Sequence, residues 1–301
     1  MNSSITVIVN ASSGTHGGGN APADLENHFK AMGVEAEIRL TQSAEIVSAV
    51  RRALIGKPKT IVVGGGDGTL NAAASALIGN DAALGILPLG TLNHLAKDLD
   101  IPLDLEAAVR NIANGHIRKM DVGVINDRFF LNNSSLGLYP EAVAGRDALQ
   151  QRLGRGKWLA LFSAAAAVFR RYPFLNVRIE VGGKELVRRT PFVFIGNNQY
   201  EMEGFSIGKR ERLDGALLSL YVANRTGRLG LIHLAIRSLF KRLRQAKDFD
   251  MVSAEVIQVE TRHESVRVAI DGELCLIRAP LNYRVLPAAL SVIVPDPKTP
   301  H

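Results

Sequence analysis

The 301-residue chain is long enough for two domains of ordinary size, and 47% hydrophobic with 22% charged residues is the composition of a globular protein, not of a disordered one. Lys and Arg total 36 against 29 acids, and the net charge of +7 suits anionic partners such as nucleotides, phosphorylated products or acidic membrane surfaces without choosing among them. The single cysteine, Cys275, excludes an intramolecular disulfide and with it a disulfide-stapled secreted fold.

The opening MNSSITVIVNASS has no basic stretch and no small-residue cleavage site, so it reads as a first strand and not as a signal peptide. The first third then alternates β-branched runs with helical patterns, the signature of a parallel α/β sheet. Strands are expected over Ile5 to Val9, Val34 to Leu40, Thr60 to Val63 and Gly85 to Leu87. Helices are expected from Pro22 to Met32, Ala44 to Leu54 behind a Ser43 cap, Leu70 to Ile78, and Thr91 or Asn93 to Leu99. A further helix starts behind Asp104 and stops at Gly115.

Beyond Gly115 strands follow one another with hairpin signals between them, at Asn126-Asp127 and Gly182-Gly183. They are read at 117–125, 129–133, 176–181, 185–189, 192–195, 217–222, 252–260, 266–270 and 283–286, with helical interruptions near Arg155 to Arg171 and Gly227 to Lys247. The expected organisation is an α/β domain over 1–121, to which 287–301 can return, and a mostly antiparallel, sandwich-like domain over 122–286. The apolar run from Trp158 to Phe169 falls short of the roughly 20 residues that span a bilayer as a helix, so any membrane contact is expected to be peripheral.

The strongest chemical signal is Gly64-Gly65-Gly66-Asp67-Gly68-Thr69 between a strand and a helix. Consecutive glycines let backbone N–H groups approach phosphate oxygens, and a helix N-terminus adds its positive dipole. Asp67 is informative because a carboxylate among phosphates repels them unless it holds Mg²⁺ or takes a proton from an attacking hydroxyl. The segment lacks the Lys of a Walker A loop and the spacing of a dinucleotide fingerprint. A second loop, Pro88-Leu89-Gly90-Thr91-Leu92-Asn93, follows the next strand and is expected to face the first across a cleft, although Thr and Asn are also ordinary helix caps.

VGGGDGTLN from Val63 to Asn71, followed by LGILPLGTLNHLAKDLDIP from Leu84 to Pro102, resembles the catalytic domain of the diacylglycerol kinase and sphingosine kinase family, in its bacterial lipid kinase branch. Asn10-Ala11-Ser12-Ser13-Gly14 is similar to the family's Asn-Pro-x-Ser-Gly loop, with Ala11 in place of proline. Gly196-Asn197-Asn198, Leu213-Asp214-Gly215 and Asp271-Gly272-Glu273 fall in the family's order.

The resemblance implies ATP contacts from Asn10, Ser12, Ser13, Gly14, Thr41, Gly65, Gly66, Asp67, Gly68, Thr69, Leu70, Asn71 and Thr91. It implies Glu273 as proton acceptor, whereas the sphingosine kinases credit the Asp of the glycine loop, here Asp67; Glu273 is favoured, with Asp67 organising Mg²⁺ and phosphate. It also implies a structural Mg²⁺ site from Asp214 with the carbonyls of Glu211 and Ala216, where a plain turn is the alternative. Ala72 stands where the family usually has Glu.

From Asn224 to Lys247 seven basic residues, among them Arg237, Lys241, Arg242 and Arg244, interleave with an apolar stripe and no acid. Such a helix suits an anionic membrane interface, and equally a helix packed on a core with a solvated basic face. Arg152 to Arg171 is a second candidate, for a lipid entrance. The histidines show no zinc spacing, and the basic helix lacks the interleaved aromatics of nucleic-acid binding. The reading is therefore an ATP-dependent lipid kinase that phosphorylates the hydroxyl of a lipid such as diacylglycerol or a sphingoid base. It is expected to be cytoplasmic and peripherally membrane-associated, with homodimerisation left open. An NAD kinase-like enzyme and a non-catalytic nucleotide- or lipid-binding protein are the alternatives.

Overall fold

The computed structural model describes residues 5–13, 21–137, 174–203, 206–210, 212–223 and 249–296. The two basic stretches read as helices, near 155–171 and 227–247, lie outside these residues. The chain divides into two compact units, Met1–Val122 with Pro287–His301, and Gly123–Leu286. No described helix is long and apolar enough to cross a membrane.

In the first unit β1 (Ile5–Asn10), β2 (Ala36–Thr41), β3 (Thr60–Gly65) and β4 (Ala83–Pro88) form a parallel sheet in the order β2-β1-β3-β4. A last parallel neighbour comes from the end of a long final strand, Leu281–Val294, whose Val292 pairs with Leu84 of β4. β3 and β4 are buried almost throughout, as strands covered on both faces must be, whereas β2 at the edge alternates. Around the sheet lie α1 (Ala21–Ala31), α2 (Ile46–Leu54), α3 (Asp67–Leu77), α4 (His94–Asp98) and α5 (Leu105–Asn114). Leu25 and Phe29 of α1 and Val109 and Ile112 of α5 close over Val7, Val62 and Leu87 to make one core. The Asp104 carboxylate accepts from the Ala107 amide at 2.9 Å, so α5 starts where its cap residue dictates.

The second unit is antiparallel. One sheet runs from the first half of β18 (Leu281–Val294) through β15 (Val256–Thr261) and β8 (Leu175–Val181) to β9 (Lys184–Thr190). A β5–β6 pair (His116–Ile125 and Arg128–Phe130) joins it through β18. The other sheet has the order β14 (Phe249–Ala254), β13 (Leu218–Ala223), β10 (Phe192–Asn197), β7 (Asn133–Gly137), β16 (Ser265–Ile270) and β17 (Glu273–Arg278). A short hairpin, β11 (Tyr200–Glu203) with β12 (Ser206–Arg210), completes the described strands. Alternate residues of both sheets, Val177, Ile179, Val259 and Tyr283 from one and Leu136, Ile195, Leu220 and Val268 from the other, form a single core.

Two runs that read as single strands are broken in the structure. The 252–260 run splits at Glu255 into β14 and β15, and 129–133 splits at Leu131 and Asn132 into β6 and β7. In each case the two halves pair in different sheets, so the backbone turns a corner between them. At the first corner Val285 donates its amide to the Glu255 carbonyl at 3.1 Å.

Gly123 of β5 lies opposite Phe130 of β6, and a Cβ on it would stand 2.2 Å from the Phe130 ring. That ring is buried and meets Tyr283 edge-on at 6.3 Å between centroids. Gly123→Ala is expected to destabilise the protein by about 1–3 kcal/mol through overpacking. Urea denaturation should show a smaller loss for the same change on a Phe130→Leu background, where the ring no longer blocks the methyl group.

Candidate active site

In a parallel sheet ligands bind outside the carboxyl ends of the strands. There β1, β2 and β3 deliver Asn10, Thr41 and Gly65 side by side, with Asn10 opposite Thr41 in register. The buried Asn10 side chain organises this edge. Its Nδ2 donates to Thr69 Oγ1 at 2.7 Å and to Ser43 Oγ at 3.0 Å, and its Oδ1 accepts from the Ser12 amide at 3.1 Å and the Ser12 hydroxyl at 2.8 Å. Ser13 Oγ turns back to the Asn10 carbonyl at 2.7 Å, and the Ala11 amide donates to the Thr41 carbonyl at 2.9 Å.

Ser43 was expected to cap a helix, but the turn at Ser43–Glu45 has Gln42 as its cap position with no side-chain cap bond. The Ser43 hydroxyl meets the Ser12 hydroxyl and the Asn10 side-chain amide instead, and α2 starts only at Ile46 with Glu45 in its cap position.

The glycine segment is partly strand. Gly64 and Gly65 continue β3 in register with β4, Gly66 is the cap position of α3, and the helix starts at Asp67, three residues before the expected Leu70. A Cβ on Gly65 would stand 2.5 Å from Thr69, so only glycine leaves Thr69 free to reach Asn10. The second loop does not stand across a cleft from the first but touches it: a Cβ on Gly90 would lie 2.4 Å from the Gly66 Cα. The Leu89 amide donates to the Gly65 carbonyl at 3.1 Å, and one Asp67 oxygen accepts from the Leu95 amide at 3.2 Å. Asn93, in the left-handed region at φ 50°, folds its side chain back onto the Gly90 amide and the Pro88 and Gly90 carbonyls, which staples the loop.

Of the residues proposed for nucleotide, the structure thus joins Asn10, Ser12, Ser13, Thr41, Gly65, Gly66, Asp67 and Thr69 in one edge. Gly68 and Thr91 are exposed beside it. The Leu70 side chain is fully buried and its amide already donates to the Gly66 carbonyl at 3.0 Å, so it is a core residue. Asn71 keeps a buried Oδ1 with no hydrogen-bond partner, an acceptor one helical turn from Asp67. Gly14 lies outside the described residues.

Among the described residues no three His, Cys, Asp or Glu gather as a metal cluster. A single carboxylate such as Asp67 does suit Mg²⁺, which is commonly held by one or two carboxylates together with substrate phosphates. At the other suggested site Ala216 has φ 54°, and Asp214 is already paired with the Arg212 guanidinium at 3.3 Å. Glu211 is outside the described residues.

In the second unit Glu273 opens β17 directly opposite Ile270, after a two-residue turn in which Asp271 has φ 47° and Gly272 φ 87°. Both signs are those of a type I′ hairpin, which Asp-Gly favours. Glu273 is exposed. Asp271 is the residue that reading the sequence underrates: its oxygens accept from the Leu131, Asn132 and Asn133 amides at 2.7, 2.8 and 2.9 Å. Burial pushes this carboxyl up to about 6, opposed by the three amides and by Arg210.

Gly90→Ala is expected to force the two loops apart, since the new methyl group meets backbone on the far side. Hydrogen exchange of the Leu89 and Leu95 amides should quicken and the protein should lose about 1–3 kcal/mol.

For Asp271 the folded-state pKa lies above the unfolded one, so the folded protein holds the proton more tightly. Its contribution to stability is full below about pH 4 and is lost as pH rises through about 6, a difference on the order of 3 kcal/mol. Denaturation between pH 4 and 7 should show this slope in the wild type and not in Asp271→Asn.

The chain matches two family models, the diacylglycerol kinase catalytic domain over residues 4–125 and the YegS C-terminal NAD kinase beta sandwich-like domain over 137–294. It is 31% identical over 278 residues to a Pseudomonas aeruginosa protein named "Probable lipid kinase YegS-like", covering 87% of this chain and 86% of that protein. It is 26% identical over 246 residues to a diacylglycerol kinase of Staphylococcus carnosus, covering 80% and 79%. A crystal structure of a diacylglycerol kinase from Bacillus anthracis shares the fold with a TM-score of 0.71 at 21% identity, over 98% of this chain and 97% of that one. With its α/β unit, its antiparallel unit and both models matched in order, the chain belongs to the diacylglycerol kinase catalytic-domain family of YegS-like lipid kinases.

Proposed function

We propose that the protein transfers the γ-phosphoryl group of ATP to the hydroxyl of a lipid such as diacylglycerol or a sphingoid base. The observation that carries this reading is the contact of Gly66 with Gly90 beside the Asn10–Thr69–Ser43 network, which leaves backbone and small hydroxyls, not bulky side chains, at the carboxyl edge of the sheet. Phosphoryl transfer asks for positioning and charge neutralisation more than for covalent chemistry, and such an edge supports the positioning.

In this reading Asn10, Ser12, Ser13 and Thr69 hold the nucleotide, and Asp67, steadied by the Leu95 amide, holds Mg²⁺ on the phosphates. Bound there, Mg²⁺ supplies neutralisation of phosphate charge. Glu273 takes the proton of the acceptor hydroxyl as the new oxygen–phosphorus bond forms and the bond from phosphorus to the ADP oxygen breaks. The lipid is met at a membrane surface, for which the basic segment at 224–247 is the candidate; the cytoplasm is the proposed compartment. Ala72 removes a carboxylate usual in the family, and the acceptor is the feature on which that difference bears.

The test is turnover of labelled ATP with diacylglycerol, sphingosine, phosphatidylglycerol and NAD. Phosphorylated lipid is the expected product; phosphorylated NAD, or binding without product, overturns the reading. Asp67→Asn should keep the melting temperature and lower kcat by two or more orders of magnitude. Glu273→Gln should lower kcat with little change in the KM for ATP, because the lost interaction matters only as the hydroxyl is deprotonated.

A further inference from the structure

The Glu273 carboxylate has no hydrogen-bond or ion-pair partner among the described residues. Its place is therefore set by its backbone, which means by the Asp271–Gly272 turn and the pairing of Glu273 with Ile270. Asp271 pays a steric cost at φ 47°, and the three amides of Leu131, Asn132 and Asn133 hold it there. The tie runs both ways, since the Asp271 amide donates to the Asn133 carbonyl at 2.9 Å.

The opposite side of the same corner is held by a cation. Arg210, buried at the end of β12, donates to the Leu131 carbonyl at 2.6 Å and to Asn132 Oδ1 at 3.1 Å. Asn197 Nδ2 donates to the Leu131 carbonyl at 2.9 Å and the Tyr200 hydroxyl to the Asn132 carbonyl at 2.8 Å. The peptide group between Leu131 and Asn132 thus points its N–H at the Asp271 carboxylate and its carbonyl at the Arg210 guanidinium, so the two charges compensate each other through the dipole between them, while the Asn132 carbonyl is taken by neutral donors.

We infer that Asp271 and Arg210 are positioning residues for the phosphoryl-transfer reaction: by clamping the Leu131–Asn133 corner from its two sides they fix the turn that carries Glu273. The inference rests on the reading of Glu273 as the base. A misplacement of about 1 Å in such a group costs on the order of a hundredfold in rate.

Two substitutions separate the carboxylate from the backbone geometry. Asp271→Gly keeps a residue that favours positive φ and removes the clamp. Asp271→Asn keeps the Oδ1 acceptor for Asn132 and Asn133 but turns a donor toward the Leu131 amide, and it serves in the same way should the glycine variant not fold at the assay temperature. Both should quicken hydrogen exchange in the 131–133 segment, and Arg210→Lys should do so to a lesser degree.

On short-chain diacylglycerol kcat should fall about a hundredfold with the KM for ATP within about twofold. The deciding measurement is a cycle with Glu273→Gln: if Asp271 acts through Glu273, adding Asp271→Gly or Asp271→Asn to Glu273→Gln costs no further rate. Losses that multiply, or unchanged exchange at 131–133, overturn the positioning role alone. A Glu273→Gln protein with wild-type kcat overturns the base reading and this inference with it.

Discussion

A strand that leaves its sheet takes its amide groups with it, and a buried amide without a partner costs as much as the contacts that buried it. That constraint governs both regions described above. Where β1 ends, the Asn10 side chain answers it by accepting from the Ser12 amide, and the same side chain gathers the Thr69 and Ser43 hydroxyls. Where β6 gives way to β7, the answer is ionic, with Asp271 on the amide side and Arg210 on the carbonyl side.

The glycines serve a different end, which is closeness. Gly65 lets Thr69 fold over the strand end, Gly90 lets one loop rest on the other at Gly66, and Gly123 makes room for the Phe130 ring. None of the three has a positive φ, so what they contribute is the missing side chain and not the unusual backbone. Asp271, Asn93 and Ala288 adopt the left-handed region without being glycine, and at the first two a side chain bonded to nearby backbone explains it.

Much of this is written locally in the chain. Alternating apolar runs and helix caps such as Asp104 mark the α/β unit because they depend on neighbours a few residues away. The glycine loop is legible for the same reason, although its strand part is not: Gly64 and Gly65 stay in the ladder because β1 and β4 flank them. β17 escapes notice because exposed Leu274 and Leu276 sit on one face while Cys275 and Ile277 pack on the other, which erases the inside–outside contrast. The corner at Leu131 reads as continuous strand since its partners, Asp271 and Arg210, are remote in sequence. Arg210 itself looks like any surface cation until the fold buries it.

The final strand has a further consequence, for the order in which the protein is made. The first unit takes its last parallel strand from residues synthesised after the whole of the second unit, with Val292 beside Leu84. Until then β4, apolar along its full length, is an open edge of the kind that invites pairing with other chains. Contacts of such long sequence separation form slowly. A nascent chain halted before Pro287 would therefore carry the Asn10, Gly65 and Asp67 edge on a sheet that still lacks its flank.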